Sequence, residues 1–387
     1  MKANLYSEKA EEYFDRSCDE QKDLLLQLCR IPAPSGMEDM RAEFCLDWLD
    51  RNGVRGAYAD EAKNVVIPFG CGGEKPVIAV MAHTDTVFPD TVPFSVEVDG
   101  DIARCPGIGD DTASVSALMI LARYYGMIFS ESEIGILFVL NSCEEGLGNL
   151  KGAKQIVKTY GSRMKAMLSI DGTAESVVDR SIGSERYRVS IKTEGGHSFS
   201  CFGNKNSIAE AASLINDLYT IRVPETDNVR TTYNVGTISG GTSVNSIAQN
   251  AEFLYEFRSE SRKCIDEMRD MFFETVGRHG SYDVMINVET AGIRPCMGSV
   301  DMEIQREVSE ICADSVRKAY GFSPNFRSGS TDCNIPLSEG IPAVSFGCYK
   351  GRGSHTREEY IELSSLRPGL SAIAMTISRV NDYFSRS

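Results

Sequence analysis

Apolar and polar positions change their rhythm along this chain. Residues 7–30 carry Leu24, Leu25, Leu26 and Leu28 on or near one face, which predicts a helix. IPAPSG (31–36) breaks it with prolines and glycine, and MEDMRAEFCLDWLDRNG predicts a second amphipathic helix ending near Gly53. Short runs rich in branched residues follow: NVVIPF, PVIAVMAH, IGILFVLN and KAMLSID. Such runs predict strands buried on both faces. The helical stretches SVSALMILARYYG and GNLKGAKQIVKTYG separate several of them. This alternation predicts an α/β domain with a mostly parallel central sheet flanked by helices.

From about residue 182 the pattern changes. SERYRVSIKTEG alternates, NSIAEAASLINDLYTI is amphipathic, and TTYNVGTISGG and AEFLYEFRS predict two more strands. ESRKCIDEMRDMFFETVGRHG predicts a helix with His279 at its solvent-facing end, and YDVMINVETAG a last strand. That order predicts a smaller α+β sandwich. After residue 293 the α/β pattern returns with DMEIQREVSEICADSVRKAYG, PAVSFG and a final helix. The expected division is therefore one domain of residues 1–181 and 293–387, with a second, 182–292, inserted into it.

Composition narrows the choices. The 387 residues are 42% hydrophobic and 25% charged, which suits a globular protein with a large core. Apolar runs are far too short for a membrane span, and MKANLYSEKAEEYFDRS lacks an apolar signal segment, so no membrane partner and a cytoplasmic location are expected. Twelve cysteines without a C-x-x-C pair predict free buried thiols rather than a cysteine metal site. A formal net charge of −15 argues against nucleic acid as a partner.

The chemistry gathers where strands end. PVIAVMA ends in His83, with Asp85 two residues on; IGILFVLNSC leads to Glu144 and Glu145; AMLSI leads to Asp171; PAVSFGCYKGRGS leads to His355. In open α/β sheets, sites form beyond the carboxyl ends of the strands. CPGIGDDTASVSAL adds Asp110 and Asp111 just before a helix, where one acid could be a cap. Two histidines among several carboxylates suit Zn²⁺, and less exclusively Co²⁺ or Mn²⁺. Two tetrahedral ions sharing a carboxylate and a water need five protein ligands, and His83, Asp110, one of the glutamates, Asp171 and His355 make five. Asp85 is placed to orient His83 through its second ring nitrogen. The glutamate left over could take a proton from water acidified by metal.

These stretches, together with EGGHS, GGTSVNSI, GSTDCNIP and GSHTREEY, resemble in order the motifs of the dinuclear zinc hydrolases that include peptidase T, carboxypeptidase G, acetylornithine deacetylase and succinyl-diaminopimelate desuccinylase. The motifs run from residue 82 to 360. The resemblance implies two Zn²⁺ per subunit, with Asp110 bridging them. His83 and Asp171 would hold one ion, and Glu145 and His355 the other. It makes Glu144 the general base and Asp85 the acid that orients His83. It also implies a catalytic domain and an inserted lid domain through which a homodimer forms, with His197 reaching the partner's site to stabilise an oxyanion. Asn245 takes the place of a substrate-contacting residue, and GSTDCN, including Ser330, borders the substrate. In one place the chain departs from the pattern: most relatives carry lysine and glycine after the aspartates, as DDKxG or DMKGG, where this chain has Thr112, Ala113 and Ser114.

The expected activity is metal-dependent hydrolysis of an amide bond in a small peptide, as an exopeptidase of the peptidase T kind. A deacylase of N-acyl amino acids would use the same metal chemistry. A metal-binding regulator without activity would lack the base glutamate or the bridging aspartate, and both are present. A nucleotide-binding protein would need a phosphate loop after its first strand; GCGGEK (70–75) precedes a strand instead and reads as a turn.

Overall fold

The computed structural model describes residues 6–130, 132–226 and 229–386. The chain forms two compact units, Met1–Ser181 with Gly298–Ser387, and Ile182–Met297. The second crossing falls at 297 rather than 292, because the last strand of the inserted unit, Met285–Arg294, continues past the predicted boundary.

The larger unit is built on an eight-stranded sheet. Its order is Tyr58–Ala59, Val65–Phe69, Gly135–Asn141, Val77–His83, Met164–Ile170, Ala343–Phe346, Ser176–Ser181 and Asn325–Gly329. The four strands in the middle run parallel, and the flanking pairs are mixed. Val77–His83 and Gly135–Asn141 are buried at every position. This explains their unbroken apolar sequences: strands covered on both faces have no solvent side to mark with polar residues. Helices Glu8–Cys29, Asp39–Arg51, Ser114–Ile128, Lys151–Tyr160, Met302–Tyr320 and Leu366–Arg386 flank the sheet. Ser114–Ile128 is buried over most of its length and packs on Val77–His83 and Gly135–Asn141.

Register places the chemistry. His83 pairs with Asn141, and Ile170 with Phe346, so these parallel strands end nearly level. The chain leaves each strand at the same edge and delivers His83, Glu144 with Glu145, Asp171, and the approach to His355. A separate four-stranded sheet of short strands, in the order Gly351–Arg352, Tyr360–Glu362, Ile102–Arg104 and Glu97–Asp99, pins the segment before Asp110 to the segment carrying His355.

The inserted unit is an antiparallel sheet, ordered Thr231–Gly240, Asn250–Ser259, Gly183–Lys192 and Met285–Arg294, with helices Ser207–Leu218 and Arg262–His279. Tyr187, Phe253, Tyr255, Phe257 and Phe272 fill its core. His279 is not the exposed helix end expected; its ring lies 2.8 Å from the Asp217 carboxylate across the two helices. No helix among the described residues is long and apolar enough to cross a membrane, and their cysteines are all free.

Candidate metal centre

Asp110 is the hub. Its Oδ1 lies 3.0 Å from His83 Nε2, and its Oδ2 lies 3.1 Å from His355 Nε2. Glu145 Oε1 is also 3.1 Å from His355 Nε2. Two ligand groups result, His83–Asp110–Asp171 and Asp110–Glu145–His355, each with donor atoms within 4.8 Å of one another. A third group, His83–Glu144–Glu145, brings the remaining glutamate to the same place. Tetrahedral ligands held 2.0–2.1 Å from zinc stand about 3.3 Å apart. The His83–Asp110, Asp110–His355 and His355–Glu145 pairs already lie near that spacing, and Asp110 offers one oxygen to each histidine. The residues present therefore fit a pair of divalent ions.

The charge balance points the same way. Burial and the charge of Asp110 push the Asp171 carboxyl up to about 6. Burial also raises Glu145, despite a hydrogen bond from His355. Burial works against the charge of Asp110, but His355 and His83 hold its carboxyl well below the usual range. Hydrogen bonds to Asp110 and Glu145 raise His355 to about 11. So many acids around two imidazoles repel one another, and bound cations are the charges that would offset that repulsion.

Backbone and neighbouring acids set the ligand geometry. Cys143 and His355 have φ of 57° and 67°, in the left-handed region that non-glycine residues rarely adopt, one on each ligand loop. Gly109 must lack a side chain, because a Cβ there would stand 2.6 Å from the Tyr349 ring. Neither aspartate of the pair caps the following helix: Asp111 Oδ2 accepts the His83 N–H at 3.0 Å, and helix Ser114–Ile128 begins without a side-chain cap.

Asp85 meets the second ring nitrogen of His83 through its main chain first. Its carboxylate is 3.6 Å from His83 Nδ1, beyond hydrogen-bonding distance, whereas its main-chain carbonyl is 3.0 Å away. The carboxylate instead accepts the N–H groups of Glu144 and Glu145, both at 2.9 Å, and the Ser35 hydroxyl at 2.6 Å. Asp85 thus holds the His83 ring with its backbone and the twin-glutamate turn with its side chain. The neighbouring Glu38, fully buried, accepts from Gly36 N and Cys143 N.

Other buried groups at this edge carried no distinct local signal. Asp332 is 1% exposed, and its Oδ2 accepts from Asn141 Nδ2 at 2.7 Å. Burial and the nearby Glu144 charge hold its carboxyl well above the usual range. It follows Ser330 and Thr331, so the GSTDCN turn does reach the metal-side edge. Glu359, also 1% exposed, accepts N–H groups from the Asp110 loop. Arg41 is buried against the carbonyls of Leu28, Ile31 and Thr84 and the hydroxyl of Thr112, one of the residues that departs from the family pattern. Thr112 thus joins a polar network beneath the acid loop.

His197 and Asn245 lie together in the inserted unit. Residues 196–197 pair with 246–247, and Ser198 N donates to Asn245 O. The His197 ring is exposed, and its Nδ1 accepts from Phe199 N at 3.2 Å and Ser200 N at 3.4 Å. This leaves the proton on Nε2, which is free to act as a donor.

The sequence profile of peptidase family M20/M25/M40 matches residues 79–379. The chain belongs to that family. It is accordingly a hydrolase of the amidohydrolase and peptidase type, from a metal-dependent group. A succinyl-diaminopimelate desuccinylase from Aromatoleum aromaticum is 24% identical over 321 residues, covering 78% of this chain and 81% of that protein. Among solved structures, a tripeptidase from Staphylococcus aureus superposes with a TM-score of 0.70 at 22% identity, over 94% of this chain and 99% of that one. A dinuclear metal binding peptidase of family M20 from Bacillus subtilis gives a TM-score of 0.62 at 16% identity, over 95% and 99%. These structural likenesses establish the shared fold.

Proposed function

We propose that the M20 chain hydrolyses an amide bond in small peptides, as an exopeptidase of the peptidase T kind, at a site that holds two zinc ions. The observation that carries this reading is Asp110, whose two oxygens face His83 and His355 respectively. His83, Asp110 and Asp171 would hold one ion, and Asp110, Glu145 and His355 the other. Co²⁺ or Mn²⁺ would suit the same donors. Bound there, the ions would supply Lewis acidity, polarising the scissile carbonyl and lowering the pKa of water toward 7.

The protein supplies the proton transfers. Glu144 sits 5% exposed beside His83 and Glu145, its main chain held by Asp85. It takes the proton of the attacking water and passes it to the departing amine. Repulsion between Glu144 and Glu145 is offset when Glu145 engages a cation.

His197 of a second copy donates its Nε2–H to the developing oxyanion, and Asn245 and Ser330 contact substrate. The homodimer forms through the inserted unit. Supporting this, Phe199, Phe202 and Val244 are each at least 87% exposed there, and Thr231–Gly240 is an edge strand with one side open.

A second reading, hydrolysis of N-acyl amino acids, is favoured by the likeness to a desuccinylase over 78% of the chain. One panel tests both: di- and tripeptides against N-acetyl and N-succinyl amino acids, with metal-stripped and zinc-restored protein. Zinc-dependent release of free amino acids from peptides alone supports the first reading. Turnover of acyl amino acids alone replaces it with the second, and no zinc-dependent turnover of either class overturns both.

A further inference from the structure

We infer that Glu359 is a positioning residue that holds the Asp110 loop in register with the His355 loop. The residue is 1% exposed. Oε2 accepts Gly107 N at 2.7 Å, and Oε1 accepts Gly109 N at 2.9 Å and Asp110 N at 2.8 Å. Its own carbonyl accepts Cys105 N at 3.2 Å. Four hydrogen bonds therefore run from segment 105–110 to a single residue four positions after His355. No lysine or arginine of the described residues forms an ion pair with it, so the acceptors of this carboxylate are used on backbone.

The consequence is geometric. Asp110 must aim one oxygen at each histidine, and its direction depends on where its own backbone is fixed. The small sheet brings the two loops side by side through Tyr360 opposite Arg104. Glu359 then fixes the last residues of the acid loop, up to the Asp110 amide itself. Charged acceptors make the stronger hydrogen bonds, and a carboxylate can receive N–H groups on both oxygens. A glutamine at this position would have one acceptor oxygen and would turn an NH₂ toward one of the same N–H donors.

The test rests on the two-metal reading in one arm only. In that arm, zinc affinity is measured by titrating metal-stripped protein against a chromophoric chelator. Glu359→Gln is expected to bind zinc about 10–100-fold more weakly, in line with the effect of losing a group that orients metal ligands. Exposed Glu358→Gln should bind like the parent. Zinc affinity in Glu359→Gln equal to that of the parent overturns the inference.

The second arm needs neither metal nor a folded variant. Hydrogen exchange of the peptide spanning residues 105–112 is followed in the metal-free parent protein, where the amides of Gly107, Gly109 and Asp110 are expected to be protected. Exchange at the unprotected rate overturns the inference even if Glu359→Gln does not fold. A parent protein that takes up no divalent metal, yet protects these amides, overturns the two-metal reading and leaves the Glu359 clamp standing.

Discussion

The strand Val77–His83 is buried at all its positions, while Asn250–Ser259 in the inserted unit alternates buried and part-exposed residues. The first lies in a parallel sheet covered by helices; the second lies in an antiparallel sheet with one open face. On that open face Arg186 and Arg188 pair with Glu256 and Glu252 across strands, and Arg258 pairs with Glu256 along its own strand. A strand covered on both faces can present polar chemistry only where it ends, so the larger unit concentrates its acids and histidines at one edge. A half-open strand presents polar groups all along its length, which makes a surface rather than a centre. Arg258 illustrates the second case: it binds Glu256 on its own strand at 3.0 and 3.1 Å.

The largest expected effect breaks the comparison at the centre. Chelation should bring peptide or acyl amino acid hydrolysis down to background, and stoichiometric zinc should restore it, because the proposed mechanism draws its Lewis acid from ions held by both ligand groups. Metal content by elemental analysis should return to two ions per chain with the activity. Activity that survives complete removal of metal would sink the mechanism.

Next in size is Glu144→Gln. The amide keeps the shape and loses the basicity, so turnover should fall about 10²-fold or more while metal content stays near that of the parent. Normal turnover in a variant with two bound ions would assign the base elsewhere, with Asp332, whose carboxyl feels the Glu144 charge, a candidate to test next.

The third prediction sharpens the contrast between the two sheets. Phe138 is fully buried, with the Phe69 and Tyr125 rings 6.0 and 5.9 Å away. Phe138→Ala should cost about 3–5 kcal/mol through lost burial and a residual cavity. Arg188→Ala, on the open face of the inserted sheet, should cost about 1 kcal/mol or less. Urea unfolding of the two variants measures both. Equal losses would mean that the open face contributes more than its exposure suggests.

Legibility in the sequence follows the same division. The long apolar strands, the helices between them and the strand-helix order of the inserted unit can be read because each spans enough residues to show a period. The ends of those strands name His83, Glu144, Glu145, Asp171 and the way to His355. Strands of two or three residues, such as Ile102–Arg104 and Tyr360–Glu362, are too short to show one. They nevertheless bring Asp110 to His355. Adjacent acids are equally silent: Glu358 is exposed and Glu359 buried, with nothing in REEY to separate them. IPAPSG reads as a helix breaker and as part of the resemblance to peptidase T, with no sign of the contacts it makes, yet Ser35 reaches Asp85 and the main chain of Glu145. What the local pattern omits is long-range pairing between loops, and such pairing defines most of the site's support.

The smallest effect concerns acidity and tests whether cations complete this edge. Asp171 is raised from 3.8 to about 6 by burial and the charge of Asp110, and His355 from 6.5 to about 11 by its hydrogen bonds to Asp110 and Glu145. Each raised group keeps a proton in the folded state that the unfolded chain has released. Metal-free stability should therefore fall as pH rises from about 4 to 6 through Asp171, and again above about 6.5 through His355. Asp110, held low by the two histidines, acts in the opposite sense, and its contribution is lost only as pH drops below about 4. Zinc requires these groups deprotonated and binds better as they release protons. The difference in Tm between zinc-loaded and chelator-treated protein should widen from pH 5 to pH 8, measured by calorimetry at matched ionic strength. The inserted unit supplies none of these groups, so an isolated unfolding transition of that unit should show no zinc dependence at any pH. A gap that stays constant across this range would mean that the acids at the strand ends are not the groups on which the metal acts.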